Sequence, residues 1–264
     1  MPGSPVKRAL VRPFALLRLT SDLTSYREYM RLRAAEEHRS VGDEEVELHI
    51  GRLNGRPVWV REGTADVDTV WDVFIHRYHL PPARVQRRGV GLIWDLGANI
   101  GLTMADLAVE FPDARIVGVE LDSANAALAR RNVEPWDDRA QVIEAAVWPE
   151  DGETWYHRWP GATSGYYAHE PTPGEEPQGP VVPTLSLDTL LERTGGPIQF
   201  VKMDIEGAER EVLGRNTDWA SEVGCIKVEV HGDYTVDECA RDLERLGFAA
   251  RRDRRHGAAV LGVR

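Results

Sequence analysis

The sequence predicts an α/β fold: a mostly parallel sheet with helices on both faces, an antiparallel C-terminal strand, and an N-terminal cap. Three observations predict it. From residue 91 onward short apolar runs alternate with stretches of helical spacing, the rhythm of βαβ units. Glycines cluster immediately after the first of those apolar runs, where an open α/β sheet turns from strand to helix. A chain of 264 residues, 42% of them hydrophobic, is long enough to bury one large core.

Taken in order, Ser21 to Arg39 has helical spacing at Leu23, Tyr26, Met30 and Leu32/Ala35. Its exposed apolar positions suggest a homodimer through the N-terminal helices. Glu45 to Ile50 and Arg56 to Arg61 alternate in polarity around Asn54-Gly55, a hairpin signal. Val67 to His79 reads as a helix with Val70, Trp71, Phe74, Ile75 and Tyr78 on one side. Residues 1–90 are therefore read as a helical and hairpin cap on a main domain at 91–264. In that domain the expected strands are Leu92 to Leu96, Arg115 to Glu120, Gln141 to Val147, Ile198 to Asp204 and Cys225 to Val230. The helices between and after them are Leu102 to Glu110, Ser123 to Asn132, Ala208 to Leu213 and Val236 to Leu246. Phe248 to Arg252 and Ala258 to Val263 form a closing antiparallel hairpin around Arg254-Arg255-His256-Gly257. Residues 150–183 interrupt the rhythm: an aromatic half, read as lining a substrate site, is followed by Pro171 to Pro180, read as a mobile loop.

Composition excludes several classes. A net charge of -11 argues against a basic groove for DNA or RNA. Two cysteines, Cys225 and Cys239, are too few for a disulfide scaffold or a thiolate zinc site. No run approaches the ~20 apolar residues that span a bilayer. Lys7, Arg8, Arg12, Pro13 and Arg18 break up a signal-peptide core, so a cytoplasmic protein without a membrane span is expected.

The strongest chemical signal is Asp95-Leu96-Gly97-Ala98-Asn99-Ile100-Gly101, which closes a strand and opens a helix. Glycines at 97 and 101 let backbone approach a ligand. Asp95 suits a ligand ammonium and disfavours a pyrophosphate, and the string is not the Gly-x-Gly-x-x-Gly dinucleotide pattern. Glu120 ends the next strand about 20 residues on, where an acid takes two ribose hydroxyls. Ammonium, close approach and ribose together describe S-adenosylmethionine. Leu121, Glu144 and Ala145 fall along the nucleoside, with Glu144 and Ala145 at the adenine edge, and Phe74 and Tyr78 close the pocket from the N-terminal side.

Further strings follow in fixed order: Val119-Glu120-Leu121-Asp122, Ala145-Ala146-Val147, Ser186-Leu187-Asp188-Thr189-Leu190 and Val201-Lys202-Met203-Asp204-Ile205-Glu206-Gly207-Ala208-Glu209. With the glycine loop they resemble the FkbM family of methyltransferases over roughly residues 58–232. The resemblance implies a Rossmann-like class I methyltransferase fold with a seven-stranded sheet, S-adenosylmethionine as donor, and a hydroxyl acceptor on a sugar, polyketide or other natural product. Leu121 departs from the proline common in the family at that position.

The candidate catalytic residues are Asp204, His231, Glu229, Lys202 and Glu206. Asp204 ends the fourth strand, and Lys202 shares its face by the period of two. Glu229 and His231 alternate at the end of the fifth. Two chemistries are open: His231 as the base that takes the hydroxyl proton, or Mg²⁺ or Mn²⁺ on Asp204 and Glu229, with His231 or Glu206, lowering the hydroxyl's pKa. Glu209 reads as a helix cap. Trp155, Tyr156, Thr163, Ser164, Tyr166 and Tyr167 are the expected acceptor contacts. Three rival readings remain: N-methylation of a small molecule, a non-catalytic cofactor-binding protein of the same fold, and an NAD-dependent oxidoreductase, which the absent third glycine disfavours.

Overall fold

Inside the main sheet, with a parallel neighbour on each side, lies β3 (Leu92–Leu96), every residue of which is buried. In this computed structural model, residues 18–37, 44–85, 91–158, 166–168 and 176–264 are described. The N-terminal part comprises α1 (Leu23–Glu37), a hairpin of β1 (Glu45–Ile50) and β2 (Arg56–Arg61), and α2 (Asp66–Trp71). The main part continues from β3 through α3 (Leu102–Glu110), β4 (Arg115–Glu120), α4 (Ser123–Val133), β5 (Ala140–Glu144), β6 (Ala146–Val147), β7 (Gly152–Arg158), β8 (Tyr166–Ala168) and β9 (Val181–Leu185). It closes with α5 (Leu187–Thr194), β10 (Ile198–Met203), α6 (Glu209–Gly214), β11 (Cys225–Glu229), α7 (Val236–Arg245), β12 (Ala249–Arg252) and β13 (Ala259–Val263).

Seven strands form the main sheet in the order β12-β13-β11-β10-β3-β4-β5. The pairs β11·β10, β10·β3, β3·β4 and β4·β5 are parallel, and β13 runs antiparallel to both of its neighbours. This is the class I methyltransferase arrangement, Rossmann-like with one reversed strand. The chain leaves β3 toward β4 and β5 on one side and returns to β10 and β11 on the other. The carboxyl ends of β3 and β10 therefore flank the switch point, where such sheets bind ligands.

Alternation along the strands builds two cores. Trp94, Leu96, Val119, Val201 and Val228 face one side, with Leu190 of α5, Leu213 of α6 and Leu243 of α7. Ile93, Ile116 and Phe200 face the other, with Leu107 of α3, Leu128 of α4, and Leu48, Val58, Val60 and Val70 of the N-terminal elements. The hairpin and α2 thus share one continuous apolar cluster with the sheet. Asn132 of α4 fixes the register of that contact: its side chain accepts from Trp59 N at 2.7 Å and donates to Trp59 O at 3.0 Å and Ile100 O at 2.8 Å. Helix starts follow their capping residues. Asp122 accepts from Asn125 N, Ser186 from Thr189 N, and Thr235 forms a reciprocal box with Glu238.

Two expectations need correction. The strand expected over Gln141 to Val147 breaks at Ala145: β5 stays in the main sheet, whereas β6 leaves it to pair with β9. With β7 and β8, these strands make a second, four-stranded sheet from the expected insertion. Residues 176–180 carry no regular element, and 171–175 of the expected mobile loop lie outside the described residues. The helix expected to His79 ends at His76 in a wide π turn. Arg77 then turns left-handed (φ 54°), and its guanidinium donates to Asp106 and Glu110 of α3. Polar pairing ends that helix, which an apolar count does not register. Among the described residues no helix is long and apolar enough to cross a membrane.

Candidate active site

The glycine loop is shaped by what it touches. Gly97 has φ 78°, and a Cβ there would lie 1.7 Å from the carbonyl oxygen of Asp204, so the turn after β3 rests directly on the end of β10. Gly101 (φ 79°) opens α3, with Ala129 of α4 close behind it. Glu120, at the end of β4, accepts from Asn99 N at 2.8 Å and Asp122 N at 3.0 Å, tying the loop to the next turn. Burial pushes the Glu120 carboxyl up to about 7, against the pull of those two donors.

Two cavities open at the carboxyl edge of the sheet. The first, about 610 Å³, is lined by Glu120, Leu121, Asn125, Ala145 and Tyr166 among others. The second, about 1110 Å³ with its open mouth, is walled by Tyr78, His79, Lys202, Glu229, His231 and His256 among others. Gly97, Asn99, Asp204 and Glu206 line both. The cavities therefore meet at two carboxylates.

Asp95 is fully buried, and neither of its carboxylate oxygens has a hydrogen-bond partner among the described residues. Lys202 Nζ lies 3.3 Å from Asp95 Oδ1 and 3.3 Å from Asp204 Oδ2, and donates its hydrogen bond to Gly97 O at 2.8 Å. The contact with Asp95 is thus an ion pair without hydrogen-bond geometry. Burial raises the Asp95 pKa despite the neighbouring ammonium. Burial works against the charge of Lys202 as well, and Asp95 and Asp204 outweigh it, holding the lysine protonated.

After β10 the backbone places three acids within reach of one histidine. Glu206 adopts φ 57° and Gly207 φ 119°, a tight turn that precedes α6. The buried Glu209 carboxylate accepts from Ile205 N at 3.2 Å and Gly207 N at 3.0 Å, and meets His231 Nδ1 at 2.8 Å. His231 Nε2 then faces Asp204 Oδ1 at 3.6 Å, Glu206 Oε2 at 3.7 Å and Glu229 Oε1 at 4.0 Å. Burial opposes charge on His231, but the Glu209 bond and the charges of Asp204 and Glu206 prevail, raising its pKa to about 9. At neutral pH the free imidazole is thus an imidazolium. Burial and the charge of Asp204 push Glu229 up to about 7.

The predicted positions distribute unevenly. Asp204, Glu206, Glu229, His231 and Lys202 come together, and Asp95, Gly97, Ala98, Asn99 and Gly101 form the adjoining loop. Ala145 and Leu121 line the first cavity. Glu144 instead turns to Arg130 at 3.4 Å, because residue alternation at the end of β5 directs it outward. Tyr78 lines the second cavity, stacked on His76 at 4.7 Å and 5.2 Å from His256, whereas Phe74 is buried in the core. The aromatic residues expected at the acceptor sit on the first-cavity side. Tyr166 lines that cavity and accepts from Asn125 Nδ2 at 3.3 Å, and Tyr156 donates to Asp122 at 3.0 Å. Trp155 is buried edge-on to His157. Thr163 and Ser164 lie outside the described residues. The metal expectation also shifts. The donor atoms within 4.8 Å of one another belong to Asp204, Glu206 and His231, with Glu229 outside that set.

Glu209, His256 and Asp72 were missed as site residues. Only Glu209 had a usable signal, its place in the Lys-x-Asp-x-Glu-Gly-x-Glu string; the other two arrive from distant segments.

Comparison with known proteins agrees with this geometry. Residues 95–249 match the methyltransferase FkbM domain. Over 210 residues the chain is 28% identical to the 31-O-demethyl-FK506 methyltransferase FkbM of Streptomyces tacrolimicus, covering 67% of this chain and 79% of that one. A 60-residue stretch is 42% identical to a tRNA1(Val) (adenine(37)-N6)-methyltransferase of Bacteroides thetaiotaomicron, spanning 22% of this chain and only 25% of that relative. Among solved structures, the METTL16 MTase domain aligns at TM-score 0.46 and 12% identity, covering 94% of this chain and 97% of that one. An O-methyltransferase family protein from Burkholderia thailandensis aligns at TM-score 0.43 and 13% identity, covering 90% and 70%. With its central domain matched from the glycine loop to the start of the closing hairpin, the chain belongs to the FkbM methyltransferase family and is an S-adenosylmethionine-dependent methyltransferase.

Proposed function

We propose that the protein methylates a hydroxyl group of a small molecule, with the cofactor in the first cavity and the acceptor in the second. The observation that carries this is the convergence of Asp204, Glu206 and His231 where the two cavities meet. The first cavity suits the cofactor chemically. The unpartnered Asn99 Oδ1 and the Glu120 carboxylate suit ribose hydroxyls, and Asp95, whose oxygens accept no hydrogen bond, adds a buried carboxylate behind the Gly97 turn that suits an ammonium. Leu121 and Ala145 offer apolar surface to a flat base. Bound there, S-adenosylmethionine would supply a methyl group: the O–C bond would form as the S–C bond breaks, leaving the neutral thioether, and the hydroxyl proton would pass to solvent at the open mouth of the second cavity.

Of the two chemistries left open by the sequence, the raised pKa of His231 supports the metal over the histidine base. An imidazolium cannot take a proton, so His231 is not the base at neutral pH. Two carboxylates and an imidazole would suit Mn²⁺ or Mg²⁺, and such a cation would have to displace the imidazolium proton. It would lower the acceptor hydroxyl's pKa. Lys202 and Glu209 then act as positioning residues, one holding Asp204 and the other fixing the His231 ring. The hydroxyl acceptor is favoured by the likeness to a relative named for 31-O-demethyl-FK506 methylation.

The test is transfer of labelled methyl from S-adenosylmethionine to a panel of hydroxyl compounds, before and after exhaustive chelation. Transfer that disappears with chelator and returns with Mg²⁺ or Mn²⁺ is expected. Transfer indifferent to chelation removes the metal, and methyl found on nitrogen removes the hydroxyl.

A further inference from the structure

The second cavity carries an excess of negative charge that its own cations do not relieve. Its described lining contains four carboxylates, Asp72, Asp204, Glu206 and Glu229, against two ammonium groups, Lys202 and Lys227, and the His231 imidazolium. Both lysines are committed elsewhere. Lys202 lies between Asp95 and Asp204 and donates to Gly97 O. Lys227 donates to Tyr78 O and to Asp253, holding the N-terminal strap against the closing hairpin. No arginine is among the described lining residues. Apart from His231, whose Nδ1 is held by Glu209, and a cation on its donor set, an anionic acceptor finds no uncommitted ammonium or guanidinium among the described lining residues.

Glu229 and Glu206 are the two of these acids whose carboxylates accept no hydrogen bond and pair with no lysine among the described residues. The nitrogens nearest Glu229 are His256 Nδ1 at 3.7 Å and His231 Nε2 at 4.0 Å, both beyond good hydrogen-bond length. Glu229 also falls outside the donor set of Asp204, Glu206 and His231, so a cation held there leaves Glu229 facing the acceptor. Its carboxylate is only about a third exposed, which makes an unmatched charge costly. Asp72, from the π turn, brings a second carboxylate to the same cavity, already joined to His76 Nδ1 at 2.7 Å.

We propose that the acceptor carries a protonated amine near the hydroxyl to be methylated, that Glu229, with Asp72 on the cap side, recognises this ammonium, and that anionic acceptors are rejected. The inference rests on the placement of the acceptor in the second cavity. An ammonium supplies three donors and a charge, the complement of an under-bonded carboxylate. Held protonated, the amine has no lone pair, so the hydroxyl oxygen is left as the nucleophile. The same contact that selects the acceptor thus also protects its nitrogen from methylation.

The experiment is isothermal titration of the protein with S-adenosylhomocysteine and Mg²⁺ present, using three matched probes: the methyl glycosides of glucosamine, glucose and glucuronic acid. The amino sugar is expected to bind about tenfold or more tightly than the neutral sugar, with no binding of the acid. Glu229→Gln is expected to abolish the preference, and Asp72→Asn, a change at an exposed position, to reduce it. In both variants S-adenosylhomocysteine should still bind as in the unaltered protein, which shows that each folds. Equal affinity for amino and neutral sugars, binding of the acid, or a preference that survives Glu229→Gln overturns the proposal while leaving the hydroxyl-transfer reading intact. Failure of the unaltered protein to bind S-adenosylhomocysteine defeats that reading instead, and this inference with it.

Discussion

Asp204 Oδ1 and His231 Nε2 face each other at 3.6 Å across the ends of two adjacent parallel strands, although 27 positions separate them in the chain. Behind the imidazole Glu209 holds the second ring nitrogen, and behind the carboxylate Lys202 holds the other oxygen. A base and its partner carboxylate so arranged resemble a proton relay. The surplus of acids around them converts the histidine into a cation instead.

That conversion has a pH signature. The folded pKa of His231, about 9, lies above its ordinary 6.5, so protonation favours the folded state. The stabilisation is complete below pH 6.5 and is lost as pH rises through about 9. In the presence of chelator, denaturant unfolding of the parent protein should lose stability over this window, and His231→Gln should flatten the curve. Mn²⁺ affinity should rise over the same interval, because metal and proton compete for one nitrogen. Parallel stability curves for parent and variant would contradict the imidazolium.

Glu120 is predicted to set cofactor affinity. Replacing it with Gln should weaken S-adenosylhomocysteine binding by about 1.5–3 kcal/mol, the range for hydrogen bonds to a charged group. Its folded pKa near 7 adds a pH effect: affinity should fall as pH drops through 7, and Glu120→Gln should lose that dependence. Calorimetric titration across pH 6–8 checks both.

Asp106 anchors the N-terminal cap. Its buried carboxylate accepts from Arg52 Nε at 3.0 Å and from Arg77 Nη2 at 3.0 Å, and meets His79 Nε2 at 3.0 Å, which holds its pKa down to about 2 against burial. Asp106→Ala removes the carboxylate shared by Arg52, Arg77 and His79, with Glu110 still pairing both arginines, and should cost about 1.5–3 kcal/mol in urea unfolding. A loss under 1 kcal/mol would mean that the arginines find other partners.

Gly97→Ala should abolish S-adenosylhomocysteine binding and lower the melting temperature, since the new methyl would meet the Asp204 carbonyl at 1.7 Å with φ at 78°. Gly214→Ala, with nothing within 4 Å and a place in α6, serves as the opposite control and should be neutral or stabilising.

Much of this was legible beforehand. The strands from Leu92 to Leu96 and Arg115 to Glu120 were readable as continuous apolar runs, and the hairpin at Asn54-Gly55 from period-two burial around a left-handed turn, because each leaves a local trace. The break at Ala145 was not, because the apolar run crosses it unchanged while the backbone passes from one sheet to another.

By itself the sequence determined the succession of main-sheet strands, the glycine turn and the acids that close β3, β4 and β10. Each depends on neighbours within a few residues. Tertiary structure alone decided that the cap helix and the final hairpin wall the second cavity, that Tyr166 lines the first, and that Glu209 holds His231. It also made His231 a cation, since a pKa is set by charges that converge from β10, α6 and β11, and no local pattern records how close they come.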